Sequence, residues 1–131
     1  MKDILQVQLE LYNKLSSLDY PIYDYVPDDS KMPYIKLGYM NLKDYSCKTA
    51  DGIEITQYID IFSNYKGQKQ TREIMLKVMG VMDQLKRSHT NLNISLKNTE
   101  ILEEKDKEQS VSGTPKNVIY HGVLIYKFKS I

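Results

Sequence analysis

The sequence has no tryptophan, a single cysteine and only two histidines in 131 residues. Cys47 has no partner within the chain, which excludes an internal disulfide. No basic, apolar leader opens the chain, and together these features predict a protein made and folded in a cytoplasm. Neither His89 nor His121 has a second His, Cys or carboxylate at the spacing of a metal-binding motif, so no zinc site is expected. Charge of one sign is also missing: 18 Lys and Arg against 17 Asp and Glu leave a formal net charge of +1. Such a balance creates no global field that would draw the chain onto nucleic acid or an anionic membrane. No apolar run reaches the roughly 18 residues that a membrane-spanning helix needs, so a soluble protein without a membrane partner is expected. Lys66-Gly67 lacks the second glycine and the hydroxyl of a phosphate-binding loop. Cys47, His121 and Asp51 could be cast as nucleophile, base and orienter, but only by residue type, and they are scattered along the chain. No catalytic residue and no cofactor are expected, and His121 is read as a structural histidine.

What the chain does have is tyrosine: eleven of them, with two Phe. Tyr20, Tyr23, Tyr25, Tyr34, Tyr39 and Tyr45 crowd one stretch, and tyrosine's apolar body and polar tip suit strands and contact surfaces alike. The most legible segment is Ile53 to Arg87. Ile53, Ile55, Ile59 and Ile61 fall on one face of a period-two element, which predicts a half-buried strand. The loop from Ser63 to Gly67 ends it. Ile74, Val78, Val81, Met82 and Leu85 then recur at helical spacing, which predicts a helix over Gln68 to Arg87 laid on a sheet. Met75, Met79 and Met82 on that helix read as pliable core or interface packing.

Upstream, Ile4, Val7, Leu11, Leu15 and Leu18 predict a helix over about Asp3 to Ser17, with Asp3 as its N-cap. Tyr20-Pro21 closes it, Ile22 to Val26 reads as a short strand, and Pro27 to Ser30 is turn chemistry. Tyr34 to Met40 is a second strand, whose Gly38 marks a bulge or a close approach. Asn41 to Gly52 turns polar and aperiodic and reads as a long loop, either a hairpin connection or a projecting contact arm. Asp51-Gly52 supplies the backbone freedom for a tight turn into Ile53. Leu92 to Leu96 alternates as a strand and Thr99 to Glu104 suggests another. Glu103 to Lys116 has too little apolar area to offset the entropy of ordering and is expected to be a mobile loop. Val118 to Phe128 is β-branched and aromatic, as in a central strand.

Lys and Tyr interleave at Lys36 to Lys48 and at Tyr120 to Lys129, the residue types that hold single-stranded nucleic acid. Asp44, Asp51, Glu54 and Asp60 interrupt that pattern, and the basic stripe of a nucleic-acid binder is missing.

Taken together, the succession resembles the tail-completion proteins of long-tailed, non-contractile bacteriophages and their prophages. The pieces that carry the resemblance are Ile22-Tyr23-Asp24-Tyr25-Val26-Pro27, Pro33-Tyr34-Ile35-Lys36-Leu37-Gly38 and Lys48-Thr49-Ala50-Asp51-Gly52. They continue as Ile61-Phe62-Ser63-Asn64-Tyr65-Lys66-Gly67 and His121-Gly122-Val123-Leu124-Ile125-Tyr126-Lys127-Phe128, in order over nearly the full length. Phe62 stands where the family pattern leads us to expect Trp before the Ser-x-Tyr-x-Gly turn. The resemblance implies one domain over residues 1–131, of α+β class, with a mostly antiparallel sheet packed against an N-terminal helix and a long central helix. It further implies a structural virion protein that caps the finished tail tube as a ring, usually of six, at the head–tail junction. Its partners would then be other copies of itself, the tail tube protein and the head connector, with DNA passing through the lumen without specific binding. A head-completion or neck adaptor is the neighbouring alternative, and a single-strand nucleic-acid-binding module the alternative of another class. By the same analogy, Tyr45, Lys48, Thr49 and Asp51 in the first loop and Glu103, Glu104, Lys105 and Lys107 in the second are candidate subunit or tube contacts, while Gly52 and Gly67 are structural turns.

Overall fold

Hydrophobic periodicity alone requires that the two amphipathic stretches and the alternating strands share one apolar interior. The computed structural model describes residues 2–44, 52–90, 92–105 and 118–130. Its elements, in chain order, are α1 (Lys2–Ser16), β1 (Ile22–Tyr23), β2 (Tyr34–Asp44), β3 (Ile53–Ser63), α2 (Lys69–Ser88), β4 (Leu92–Lys105) and β5 (Val118–Ser130). The class is α+β, as expected. Five strands form one sheet in the order β1-β2-β3-β5-β4. β2, β3, β5 and β4 pair antiparallel in turn, and only the two-residue β1 lies parallel to its neighbour. β5 is thus an interior strand, as its composition predicts.

Both helices pack on the same side of the sheet. Val7, Leu11 and Leu15 of α1, Ile74, Val78, Met82 and Leu85 of α2, and Ile55, Ile59 and Ile61 of β3 join in one buried cluster with Leu124, Tyr126 and Phe128 of β5. Midway along the inward face of β3 lies a polar residue, Gln57, which sequence periodicity passed over. It is buried, and its amide donates to the carbonyls of Tyr58 at 3.0 Å and Gly38 at 3.4 Å. Its strand partner is Met40, on the far side of the register shift between Leu37 and Met40. A bulge leaves ladder carbonyls in need of a donor, and Gln57 supplies one. The bulge foreseen at Gly38 is therefore present, and a Cβ there would run into the Asp60 carboxylate.

Gly122, opposite Ile61 on the helix side of β5, lets α2 settle onto the sheet. A Cβ at that position would lie 2.8 Å from both Met75 Sδ and Thr71 Cγ2. Gly67 takes φ +81°, a backbone state that L side chains rarely adopt, between the end of β3 and α2. Ser63, the last residue of β3, donates to Gln70 Oε1 at 2.5 Å and accepts the Tyr65 amide at 3.2 Å, tying strand end, turn and helix together.

Five expectations need correction. The loop placed at Asn41 to Gly52 begins later, because Asn41–Asp44 continue β2 and pair with Ile53–Thr56. These residues are exposed on both sides, so no buried face imposes a readable alternation. Leu92 to Glu104 is one strand rather than two, with a register shift between Leu96 and Asn98 that breaks its period. Glu103 to Lys105, assigned to the charged loop, pair with Tyr120, Ile119 and Val118 at the end of β4. The short strand at Ile22 to Val26 is confined to Ile22 and Tyr23, the two residues that reach β2. At the N-terminus α1 starts at Lys2, so Asp3 lies within the helix rather than at its N-cap.

Candidate functional site

Alternation along the strands leaves a second face of the sheet, turned away from the helices and carrying none among the described residues. On β3 it presents Glu54, Thr56, Tyr58, Asp60 and Phe62, all half-buried. Cross-strand partners point to the same side, so the β3 register with β2 and β5 places Tyr34, Lys36 and Lys43 on this face together with His121, Val123, Lys127 and Lys129.

At one end the face carries a row that crosses all five strands. Tyr23 of β1 meets Tyr34 of β2 edge-on at 5.7 Å between ring centroids, and Tyr34 meets Phe62 of β3 at 5.3 Å. Phe62 stacks on the His121 ring of β5 at 4.3 Å and 17°. His121 Nε2 lies 2.7 Å from Asp60 Oδ1, and its Nδ1 lies 3.0 Å from Glu104 Oε1 of β4. The Asp60 hydrogen bond, reinforced by Glu104, raises the His121 pKa above its ordinary 6.5 against the opposing effect of burial. Desolvation, with Tyr23 and Glu104 nearby, likewise raises that of Tyr34. Both imidazole nitrogens are engaged by carboxylates, so the doubly protonated ring can donate twice, and no ring lone pair is left for general-base chemistry.

The opposite end of the face is basic but internally compensated. Lys127 Nζ sits 2.6 Å from Glu54 Oε1, and this hydrogen bond, with Lys129 and Lys43 adding to it, lowers the Glu54 pKa. Between the two ends, Tyr39 packs edge-on against Tyr58 at 5.3 Å.

His89, the other histidine, closes the end of α2. Its amide donates to Leu85 O, and its Nε2 lies 2.6 Å from Glu10 of α1. It joins helix to helix.

Of the candidate contact residues, Tyr45, Lys48, Thr49, Asp51 and Lys107 lie outside the described residues, as does Cys47. Gly52 is buried just ahead of β3. Glu103 and Glu104 are exposed at the end of β4, on alternate sides of the strand, and Lys105 is its last residue. Glu104 is held within its own chain by His121. The structure therefore brings Glu104 to a cluster with Asp60, Phe62 and Tyr34 that sequence reasoning did not assemble. Asp60 and His121 are 61 residues apart, and only the strand register places them together.

Among the described residues no cluster of His, Cys, Asp and Glu could hold a metal ion, and no helix is long and apolar enough to cross a membrane. The described residues build an α+β fold in which His121, Asp60, Glu104, Glu54 and Lys127 are tied into their own sheet. The chain belongs to the tail completion protein gp17 family, whose family model matches residues 10–114. That family is one of structural virion proteins and not an enzyme family. The fold is similar to that of a chain in the virion of a native gene transfer agent (GTA) particle. That similarity has a TM-score of 0.60 at 17% identity and covers 94% of this chain and 92% of the other. No curated protein matches the sequence.

Proposed function

We propose that this chain caps the completed tail tube as a ring, of six copies by analogy with the family, and joins it to the head connector at the head–tail junction. The observation that carries this reading is the family match over residues 10–114. The helix-free face is consistent with it. Its carboxylates at Glu54 and Asp60 each face a cation or a histidine, so the surface offers DNA passing through a lumen neither strong attraction nor strong repulsion. Within this reading the chain is not an enzyme and needs no cofactor. Tyr45, Lys48, Thr49 and Asp51, with Glu103, Glu104, Lys105 and Lys107, are its proposed contacts to neighbouring subunits or the tube. Immunogold electron microscopy of particles and free tails, with antibody raised to this chain, tests the reading. Label at the head-proximal tip of tails is the expected result. Unlabelled particles and tails, with the protein remaining in the soluble fraction, would overturn it.

A second reading, as a single-strand nucleic-acid binder, is favoured by Tyr34, Tyr58 and Phe62 sharing a face with Lys36, Lys43, Lys127 and Lys129. Asp60, Glu54 and Glu104 stand among those rings and lysines, which weakens a phosphate-binding track. Retardation of an oligonucleotide by the purified protein at physiological salt would favour this alternative, and indifference to it the structural role.

A further inference from the structure

A groove of about 370 Å³ runs between α2 and strand β4, at one edge of the sheet. Leu76, Met79, Leu96 and Ile101 supply its apolar lining, with Arg72 of α2 beside them. Leu76 is 66% exposed, unlike the buried positions of the same helix. At the other edge, Met40 and Leu42 of β2 are 47% and 55% exposed. Leu42 pairs with Ile55, and Met40 with Gln57, both of which face the helices, so the two side chains stand on the helix side of the sheet.

We propose that the groove between α2 and β4 receives Met40 and Leu42 of an adjacent copy of the same chain. The inference rests on the ring reading above and names the surfaces through which such a ring would close. Groove and ridge are different surfaces at opposite edges, so the contact is heterologous, the kind that generates a ring when its rotation closes. Both edges are open among the described residues. β1 pairs only with Ile35 and Lys36, leaving β2 without an outer strand from Leu37 to Lys43, and β4 has β5 on one side only.

The strand directions agree as well. β2 and β4 run in opposite directions across the sheet, so rotation about an axis along the strands sets β4 of one copy antiparallel to β2 of the next. That is the pairing sense between β2, β3, β5 and β4. The faces match without inversion. Met40 and Leu42 would meet Leu96 and Ile101 on the helix side, and Lys43 would stand beside Glu100 on the other. Lys43 is paired across from Glu54 and Glu100 from Val123, and Glu54 and Val123 share the helix-free face. Unbranched methionine on both surfaces suits a contact that must adapt as the ring closes.

The test uses full-length chains with Cys47→Ser, incorporated into particles and treated with a short bis-maleimide. Leu42→Cys with Leu76→Cys in one chain should give a cross-linked ladder extending past the dimer, because every copy carries one reactive group on each surface. Either substitution alone should give no dimer. A double-cysteine chain present in particles but uncross-linked, or dimers from a single-cysteine chain, would overturn the groove contact while leaving the ring reading intact. Absence of the native chain from particles would remove the ring reading and this contact with it. Both leucines are largely exposed, so circular dichroism should show an unchanged fold. If that pair fails to fold, Lys43→Cys with Glu100→Cys probes the same junction from the opposite face and must give the same ladder. Leu76→Glu, folded in solution, should be excluded from particles, and its normal incorporation would count against the contact.

Discussion

Two positions at the base of the sheet, His121 and Gly122, show how much the fold asks of single residues. His121 is charged when its two hydrogen bonds to Asp60 and Glu104 are both made by donor nitrogens. Its folded pKa lies above the unfolded 6.5, so its stabilisation is fully present below about pH 6.5 and is lost as pH rises through the folded value. Denaturant titrations on the alkaline side of pH 6.5 should therefore show stability declining with pH. His121→Gln should be less stable than the native chain at low pH and should flatten the dependence over that window. A slope unaffected by the substitution would assign the pH dependence to other groups. At Gly122, a methyl group would press on Met75, which can bend away, and on the β-branched Thr71, which is fully buried and cannot. Gly122→Ala should destabilise by about 1–3 kcal/mol, read from the midpoint of urea unfolding, as overpacked cores generally do. Neither requirement is visible in the sequence. Histidine beside glycine is an ordinary pair of letters until the register sets Phe62 and Asp60 across from one and α2 above the other.

Among the elements, α1, α2, β3 and β5 were legible because each has a buried face that imposes a period on its side chains. Val7, Leu11 and Leu15, or Ile55, Ile59 and Ile61, announce their geometry by spacing alone. The far end of β2 and the continuity of β4 were not legible, for two different reasons. Asn41 to Asp44 have no buried side and hence no alternation, and the irregularity at Lys97 shifts the phase of β4 halfway along. The open sheet face was illegible in a further sense, since its row of Tyr23, Tyr34, Phe62 and His121 comes from four strands and has no local signature. Helix α2 also carries a weakness that can be measured. Gln68 at its N-cap makes no side-chain hydrogen bond to the helix, and its first turn has no acidic residue. Gln68→Ser should satisfy an orphan amide and raise stability by about 0.5–1 kcal/mol. A thermal unfolding midpoint unchanged or lowered by that substitution would mean that the helical backbone conformation of Gln68 prevents a serine from capping.

For the molecule as a whole, the division of labour is between one side that packs and one side that is bare. Among the described residues the helices occupy one face of the sheet, while on the other His121 is tied to Asp60 and Lys127 to Glu54. The strand order β1-β2-β3-β5-β4 also governs how the protein comes off the ribosome. β4 is synthesised before β5, the strand that flanks it among the described residues, and β3 waits for the same partner, because β5 inserts between them. Until β5 emerges from the exit tunnel, β4 has no ladder, and Ile94 and Leu96 have no strand beside them. Nascent chains arrested ahead of Val118 should remain sensitive to brief protease treatment over β4, with resistance arriving in one step once β5 is free. A chain that gains protection there gradually, strand by strand, would refute this order of events. A cell that interrupts translation of this protein therefore releases a fragment with two unmet strand edges, a natural client for chaperones, and subunits competent to assemble arise only after the last strand has been made.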